Sequence, residues 1–295
     1  VLIKVLSSAL DTGTQEFVHN VFDTIFLHSK KKPIVLGWHF AGVVEAVGVK
    51  VTDIKVGDTV FGHLDYTPSQ KQGSFSEYIT ISADKTAIKP DDVSTQVAAA
   101  STTEAVTALQ AMRDLGGLSN KQKVLIIGAG GGVGAAAVQV AKNLGAHVTA
   151  VCSTKDLERV KLLGADDVVD RKKDPNFIKG FVDSFHVIFD TPNSTSWKKT
   201  KKALKKTGAY VATLPSGGLI RDLILSKLSS QKVAQVMVKP KREDLNLVGE
   251  WLSKGTLKID VDSCFKVKDL NKAISRQDGS DKVGRVVLDV GGGWD

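Results

Sequence analysis

The stretch Val124-Leu-Ile-Ile-Gly-Ala-Gly-Gly-Gly-Val-Gly134, followed by Ala135-Ala-Ala-Val-Gln-Val-Ala-Lys142, decides the fold of this chain. Its apolar run predicts a buried strand, its glycines predict a tight loop, and its small residues predict a helix. Such a loop directs free backbone N–H groups and the positive end of a helix dipole at one spot, which suits a pyrophosphate. We expect Gly131 to let the backbone approach the phosphates and Gly134 to let the helix pack closely, so the stretch predicts a dinucleotide site.

The residues after the next strand indicate which dinucleotide binds. That strand is His147–Val151, and a carboxylate near its end would hold the ribose of NAD. The chain instead continues Cys152-Ser-Thr-Lys155, with Arg159 one helical turn later. Hydroxyl and cationic groups suit a 2′-phosphate, and a hydrogen bond to a charged group contributes about 1.5–3 kcal/mol. We therefore predict NADPH as the cofactor, with Ser153 and Lys155 at the 2′-phosphate; the alternative is that Lys155 and Arg159 are ordinary solvated helix cations.

Strand and helix patterns alternate from Val124 onward. The predicted strands are 124–127, 147–151, 167–169, 186–190, 209–213 and 232–238, and the predicted helices are 132–144, 155–163, 175–182, 196–206 and 219–228. This alternation indicates a parallel sheet covered by helices. Before residue 95, short segments between glycines predict a small antiparallel barrel. A last stretch returns to that barrel, with a strand at 257–261, a helix near 268–276 and a strand at 285–289.

We therefore predict an α/β protein with two domains. Residues 1–96 and 241–295 form a β-barrel domain, and residues 97–240 form a doubly wound, Rossmann-type domain that binds NADP(H). The 295 residues, 42% of them hydrophobic and 24% charged, fit a soluble chain of that size. No apolar run approaches the roughly 20 residues needed to span a membrane.

The number of cysteines indicates the redox state of the compartment in which the protein is found. Cys152 and Cys264 are too few for a disulfide framework, so we expect a reducing compartment, cytoplasmic or organellar. A strand pattern already runs through Leu2–Leu6, and we expect further residues before Val1 in the natural protein, which leaves N-terminal targeting open.

The net charge of +8 is partly concentrated in one predicted helix, 196–206. Its cations are Lys198, Lys199, Lys201, Lys202, Lys205 and Lys206, and a second run is Lys30, Lys31 and Lys32. Such clusters can attract nucleic acid or an anionic membrane surface. The alternative is a solvated helix face, and no aromatic residues interleave with these lysines as a platform for single strands requires.

Five segments occur in an order that resembles a known family. They are Gly37-Trp-His-Phe-Ala-Gly-Val-Val-Glu-Ala-Val-Gly48, Val56-Gly-Asp-Thr-Val-Phe-Gly62, the glycine loop, Leu163-Gly-Ala-Asp166 and Gly284-Arg-Val-Val-Leu288. The chain resembles the medium-chain dehydrogenase/reductase superfamily, in particular its zinc-free quinone oxidoreductases of the zeta-crystallin-like branch. The resemblance implies a GroES-like barrel domain, a Rossmann domain and an active site in the cleft between them.

The resemblance also implies the chemistry. Hydride passes from NADPH to a quinone or an α,β-unsaturated carbonyl compound, and the cofactor carries that chemistry. We expect no metal, because no cysteine precedes Cys152 and His39 has no second ligand nearby. No catalytic triad is evident, so the catalytic residues stay unknown, with Asp11, His39 and Thr107 as cleft candidates.

Positions that match the family pattern give the expected cofactor contacts. They are Thr107, Gly131, Gly132, Val133, Gly134, Ser153, Lys155, Arg171, Thr191, Asn193, Leu214 and Pro215. For Thr107 the alternative is a buried threonine that bonds its own helix, and the two loops at 191–193 and 214–215 are alternatively plain turns. Two departures stand out: Ala9-Leu-Asp-Thr12 replaces an Asn-Pro-x-Asp pattern, and Arg171 replaces a tyrosine.

Two alternative functions remain open. An enoyl-thioester reductase requires a proton donor, and the barrel domain's tyrosines, Tyr66 and Tyr78, lie in no recognisable donor motif. A non-catalytic NADPH-binding protein that binds RNA or a membrane surface is the second alternative. Relatives are commonly dimers, so we expect a homodimer.

Overall fold

The computed structural model describes residues 1–11, 35–67, 70–213, 216–279 and 281–292. Contacts between Cα atoms divide the chain into two compact units. The first unit comprises Val1–Val106, Lys239–Gly255 and Ile259–Asp295, and the second comprises Thr107–Val238 and Thr256–Lys258. In the described ranges, no helix has the length and apolar composition needed to cross a membrane.

The elements follow one another in a β-rich and then an alternating order. The strands are β1 Leu2–Ala9, β2 His39–Ala46, β3 Thr59–His63, β4 Tyr78–Thr80, β5 Thr86–Ile88, β6 Lys123–Ile127, β7 His147–Cys152, β8 Asp167–Asp170, β9 Phe185–Asp190, β10 Leu204–Ala212, β11 Lys232–Gln235, β12 Val261–Lys266 and β13 Arg285–Asp289. The α-helices are α1 Thr95–Leu109, α2 Gly132–Asn143, α3 Leu157–Leu162, α4 Trp197–Thr200, α5 Gly217–Leu225, α6 Arg242–Ser253 and α7 Leu270–Gln277.

The first unit contains one seven-stranded sheet of the expected GroES-like domain. Its order is β12-β13-β1-β2-β3-β5, and β4 pairs with β1. Strand β1 pairs antiparallel with β2, β4 and β13, so it lies at the centre of the sheet. The core on this sheet is aliphatic and aromatic, and includes Ile3, Phe40, Val60 and Leu288. Most residues of β2, β3 and β13 are buried at consecutive positions, so both faces of these strands are covered.

The second unit confirms the predicted Rossmann-type sheet. Its six strands are all parallel in the order β11-β10-β9-β6-β7-β8. The first strand in sequence, β6, therefore lies between β7 and β9, and the strand order reverses there. In sheets of this kind ligands bind beyond the carboxyl ends of the strands at that reversal. The residues after Ile127 and Asp190 therefore lie where a ligand of such a sheet is expected.

Three predicted elements are wrong. The lysine-rich helix 196–206 is only the short α4, and β10 already begins at Leu204, because Ala203 and Leu204 pack into the core beside Phe185. Tertiary packing overrides local helix propensity at this point. The helix 175–182 is reduced to a 3₁₀ turn, Phe177–Gly180.

The third error concerns the predicted strand 257–261. The strand β12 starts only at Val261 and pairs in parallel with β13, with Cys264 opposite Val287. Leu257, which is buried, belongs to the second unit, whereas the chain from Ile259 onward belongs to the first. The apolar residues of the predicted strand 257–261 therefore belong to two different units and do not form one strand.

Candidate functional site

The glycine turn lies at the carboxyl end of β6 and leads directly into α2. The N–H of Gly131 donates to Gly128 O at 3.0 Å, and the first helical bond runs from the N–H of Ala135 to Gly131 O at 2.8 Å. The N–H groups of Gly132, Val133 and Gly134 therefore have no acceptor within the helix, as at any helix N-terminus. Three amide donors at the positive end of α2 are suited to an anion.

The two key glycines of this turn differ in their surroundings. A Cβ atom placed on Gly134 would lie 2.1 Å from Gly128 O and 2.7 Å from the Ala129 Cα, both backbone atoms. A Cβ atom on Gly131 would meet only Gly128 O, at 3.5 Å. Gly134 therefore lets helix and turn pack together, and Gly131 leaves open space above the amide donors.

The ends of β7 and β8 hold the residues predicted for the 2′-phosphate. Thr154 Oγ1 donates to Asp170 Oδ2 at 2.8 Å and so joins the two strand ends. Ser153 and Lys155 follow β7, and Arg171, which is exposed, follows β8 with its N–H bonded to Cys152 O at 3.0 Å. The structure thus brings these predicted residues to one edge of the sheet.

A carboxylate that sequence reasoning missed also lies there. Asp156 accepts a hydrogen bond from Ser153 Oγ at 2.6 Å. Its Oδ2 is 2.5 Å from the position that a Cβ on Gly130 would take, and Arg159 donates to Gly130 O at 2.6 Å. Sequence reasoning did not consider Asp156, which lies four residues beyond the end of β7 and accepts the hydrogen bond of the Ser153 hydroxyl.

The loop after β9 is held against the glycine turn. Thr191 Oγ1 donates to Ile127 O at 3.0 Å, and a Cβ on Gly128 would lie 2.5 Å from the same oxygen atom of Thr191. The buried Asp190 accepts from Ser194 and Thr195 N–H groups and from the Tyr210 hydroxyl, which fixes the loop containing Asn193. Thr107 is buried in α1, and the predicted contacts Leu214 and Pro215 lie outside the described residues.

The first unit contains a second group of polar side chains, which we call the polar cluster: Asp11, His39, Tyr66, Thr102, Thr103, Glu104 and Arg285. Tyr66 donates its hydroxyl proton to Asp11 Oδ2 at 2.8 Å, and His39 Nε2 lies 3.1 Å from the same oxygen. His39 Nε2 is also 3.2 Å from the Tyr66 hydroxyl. The structure therefore brings together the candidates Asp11 and His39 and adds Tyr66, which has no sequence motif to mark it.

The contacts of His39 define its tautomer. Because a carboxylate only accepts, Nε2 carries the proton that points at Asp11. Nδ1 then accepts from Thr103, whose Oγ1 is 3.0 Å away, since the hydroxyl of Thr102 donates to Ala99 O. Burial lowers the pKa of His39, although the Asp11 carboxylate opposes that shift. The ring is therefore neutral near pH 7.

Tyr66 is held as a neutral hydroxyl. Burial, together with the negative charge of Asp11, raises its pKa well above the usual value of a phenol. Its ring stacks on Trp38, with centroids 5.2 Å apart and planes 14° apart. Its oxygen also lies 3.2 Å from Thr103 Oγ1. Asp11 and Trp38 thus fix the oxygen and the ring of one tyrosine.

A buried ion pair completes the cluster. Arg285 Nε is 3.1 Å from Glu104 Oε1, with side chains 8% and 6% exposed, although the Nε–H is not aligned for a hydrogen bond. A second nitrogen of Arg285 lies 3.5 Å from His39 Nε2. A cation at this position disfavours protonation of His39.

Three family models match the chain, and the second and third overlap. They are the alcohol dehydrogenase GroES-like domain over residues 1–91, the alanine dehydrogenase/PNT C-terminal domain over 94–222 and the zinc-binding dehydrogenase over 163–288. The chain is 30% identical over 295 residues to 2-methylene-furan-3-one reductase from Solanum lycopersicum, covering 98% of this chain and 71% of that protein. The chain belongs to the medium-chain dehydrogenase/reductase superfamily.

Other members of the superfamily are similar over different extents. The mitochondrial NAD(P)H oxidoreductase RTN4IP1 of Homo sapiens is 43% identical over 154 residues, half of this chain but only 38% of that protein. The chain thus spans less than half the length of its mammalian relatives. The quinone oxidoreductase structure from Coxiella burnetii has a TM-score of 0.84 over 98% of this chain and 89% of its own, at 24% identity, which shows a shared fold.

One of the matching models is named for zinc-binding dehydrogenases. Within the described residues, no group of three or more His, Cys, Asp or Glu side chains is placed to hold a metal ion. Both ring nitrogens of His39 are engaged with Asp11 and Thr103. Cys152 and Cys264 lie on β7 and β12, so no thiolate accompanies His39.

Proposed function

We propose that the protein is an NADPH-dependent oxidoreductase that transfers hydride to quinones or α,β-unsaturated carbonyl compounds without a metal ion. The observation that carries this proposal is the turn between β6 and α2, which combines unbonded amide donors with the open space above Gly131. The names of relatives, an NAD(P)H oxidoreductase and a reductase of an enone, support the same reaction class.

The cofactor would be held by the second unit. Gly132, Val133 and Gly134 would donate to the diphosphate, and Thr191 would border the same turn. Lys155 and Arg171 would face the 2′-phosphate, opposed by the charge of Asp156. When bound, NADPH supplies the hydride, and this chain's residues supply position and charge.

Tyr66 is the group we propose to meet the acceptor oxygen. Hydride addition to an enone moves an electron pair onto that oxygen, which then takes a proton. The Tyr66 hydroxyl is protonated at every ordinary pH. Its one proton points at Asp11 Oδ2 at 2.8 Å here, and it would turn from Asp11 to the acceptor oxygen when an acceptor is bound. The same carboxylate makes Tyr66 a weak acid, so its proton leaves only as the acceptor oxygen becomes negative.

The polar cluster also supports a second candidate function, that of an enoyl-thioester reductase. An enoyl-thioester reductase requires a fixed proton donor, and Tyr66 satisfies that requirement. Quinones accept hydride readily and require such a donor less. Relative turnover of an enoyl thioester, an enone and a quinone therefore separates the two candidates.

The deciding experiment is NADPH oxidation across a panel of quinones, alkenals and enoyl thioesters, with NADH run in parallel. We expect turnover of quinones or enones and a preference for NADPH that shrinks about tenfold in Lys155→Ala, the loss of one charge-assisted hydrogen bond. Lys161→Ala, an exposed lysine on α3, is the matched control. Equal use of both cofactors by the wild-type protein would contradict the cofactor assignment, and turnover abolished by a chelator would contradict metal independence.

Two further parts of the proposal concern oligomeric state and location. Light scattering checks the homodimer expected from the resemblance. A cytoplasmic or organellar location fits the two free cysteines, Cys152 and Cys264. It is checked by fractionation of the source cells.

A further inference from the structure

The second unit carries an exposed surface that the proposed reaction does not use. We call it the basic–apolar surface; it consists of residues on α4, β10, α5 and the turns beside them. Its cations are Lys198, Lys199, Lys201, Lys202, Lys206 and Lys227, all exposed, and its apolar members are Ile220, Ile224, Leu225 and Leu228.

Charge is concentrated on this segment to an unusual degree. Residues 197–232 contain eight lysines and Arg221 against one carboxylate, Asp222, a formal charge of +8. That value equals the net charge of the whole chain, so the remaining residues balance to zero. Asp222 is buried and pairs with Arg221. Within the described ranges, Lys205 is the only one of the eight lysines whose ammonium pairs with a carboxylate, that of Asp183.

The lysines and the apolar side chains share one depression. It has a volume of about 460 Å³ and is lined by Lys201, Lys202, Lys206, Leu225 and Leu228, among others. The nearly buried Trp197 also lines it, with Lys201 Nζ 5.6 Å from its ring centroid. Cationic and apolar groups therefore border the same space.

The apolar side chains of this surface are largely exposed to solvent. Ile220 is 59% exposed, Ile224 is 62% and Leu228 is 92%. These three are spaced four residues apart along α5 and the following 3₁₀ turn, Ser226–Leu228, so they lie on one face. An exposed apolar row beside a cationic cluster is the pattern of segments that lie at a lipid surface.

We propose that the basic–apolar surface docks on an anionic lipid bilayer, with the lysines at the headgroup phosphates and the Ile220–Ile224–Leu228 row in the interface. Charge complementarity selects this occupant. A symmetric dimer through the same surface would bring two +8 segments together, which is unfavourable. A single-stranded nucleic acid binds on exposed aromatic rings, whereas Trp197 is only 6% exposed and the exposed groups are aliphatic.

The test is sedimentation of the full chain with vesicles of phosphatidylcholine alone or with about one third phosphatidylglycerol. We expect binding only to the anionic vesicles, weakening as salt screens the lysines. Changing Lys201, Lys202 and Lys206 together to Gln should lower partitioning about a hundredfold, from roughly 1 kcal/mol per lysine. Changing Ile224 and Leu228 to Ser should lower it about tenfold.

A matched control removes the same charge elsewhere. Lys4, Lys50 and Lys55 are exposed lysines of the first unit, and their triple change to Gln should alter partitioning by less than about twofold. All variants are checked for an unchanged melting temperature, which their exposure predicts.

Three outcomes would overturn the proposal. One is equal binding to both vesicle types, and another is equal loss in both lysine triples. The third is absence of vesicle binding by the wild-type chain, whether it binds a uridine oligonucleotide instead or forms a dimer that the Ile224 and Leu228 changes dissociate.

Discussion

Substituting Gly131 and Gly134 separately by Ala should separate cofactor binding from folding. In Gly134→Ala, the new methyl group would lie 2.1 Å from Gly128 O, and backbone atoms cannot rotate away. Overpacking costs about 1–3 kcal/mol, and the upper end applies here. Replacing a helical glycine by alanine by itself stabilises the helix by about 1 kcal/mol. We therefore expect a net loss of about 2 kcal/mol, which lowers the melting temperature by about 4–8 °C.

Gly131→Ala should leave the fold intact. Its φ of −85° and ψ of 172° are open to alanine, and the nearest atom to the new methyl group is 3.5 Å away. Alanine is a poorer N-cap than glycine, but it reduces the entropy of the unfolded chain by about 0.4–1 kcal/mol, so the two effects nearly cancel. The methyl group would occupy the space we assign to the diphosphate. We expect NADPH affinity to fall at least about tenfold, which is 1.4 kcal/mol.

Calorimetric titration with NADPH and thermal unfolding, run on both variants, provide the readout. The expected pattern is reduced affinity at an unchanged melting temperature for Gly131→Ala, and a reduced melting temperature for Gly134→Ala. If Gly131→Ala binds NADPH as tightly as the wild type, the turn does not face the diphosphate. The cofactor site then has to be sought elsewhere on the sheet.

Three other predictions concern the first unit. Tyr66→Phe should lower kcat about a hundredfold for an enone but less than about tenfold for a benzoquinone, whereas Tyr78→Phe, on the exposed edge of β4, should change neither. Glu104→Gln should lower the urea midpoint, with a loss of about 3–5 kcal/mol, because it leaves the Arg285 charge buried and unpaired; an unchanged midpoint would contradict the burial of that pair. Burial lowers the pKa of His63 to about 4, so between about pH 6.5 and 4 the unfolded state binds more protons than the folded state. The free energy of unfolding should therefore fall by about 3 kcal/mol as the pH is lowered from about 6.5 to 4. His63→Asn should remove this part of the pH dependence.

The parallel sheet was predictable because its determinants are local. Each strand is a short apolar run that ends in glycine or a polar turn, and β6, β7, β8 and β9 begin and end within one residue of the predicted limits. The glycine spacing at 131 and 134 predicts the turn before α2 for the same reason. Local pattern and tertiary packing agree in these segments.

The lysine-rich segment shows where local pattern fails. Lysine and alanine favour a helix, but Ala203 and Leu204 pack in the core beside Phe185, and this packing places Leu204 at the start of β10. The charge of the segment was evident from sequence. Its placement beside the exposed row on α5 was not, because α5 is separated from α4 by a strand.

The polar cluster could not be predicted for a different reason. Asp11 and His39 are 28 residues apart, Tyr66 and Asp11 are 55 apart, and Arg285 and His39 are 246 apart. The pairing of β1 with β2 and β13, and of β2 with β3, brings these segments together. Periodicity carries no information about such contacts, so Tyr66 was visible only as a tyrosine without a motif.

The cost of that cluster bears on the choice between an enzyme and a non-catalytic NADPH-binding protein. Burying a carboxylate, an imidazole and an Arg–Glu pair is unfavourable, and apolar residues of similar volume are often as stable or more so. A fold that only binds NADPH through the second unit has no use for such a cluster in the first. A reductase does, because the oxygen that gains negative charge during hydride transfer requires a fixed, uncharged donor, and Asp11 and Trp38 hold the Tyr66 hydroxyl in that state. The energetic cost of the cluster is therefore an argument for catalysis that is independent of the glycine turn.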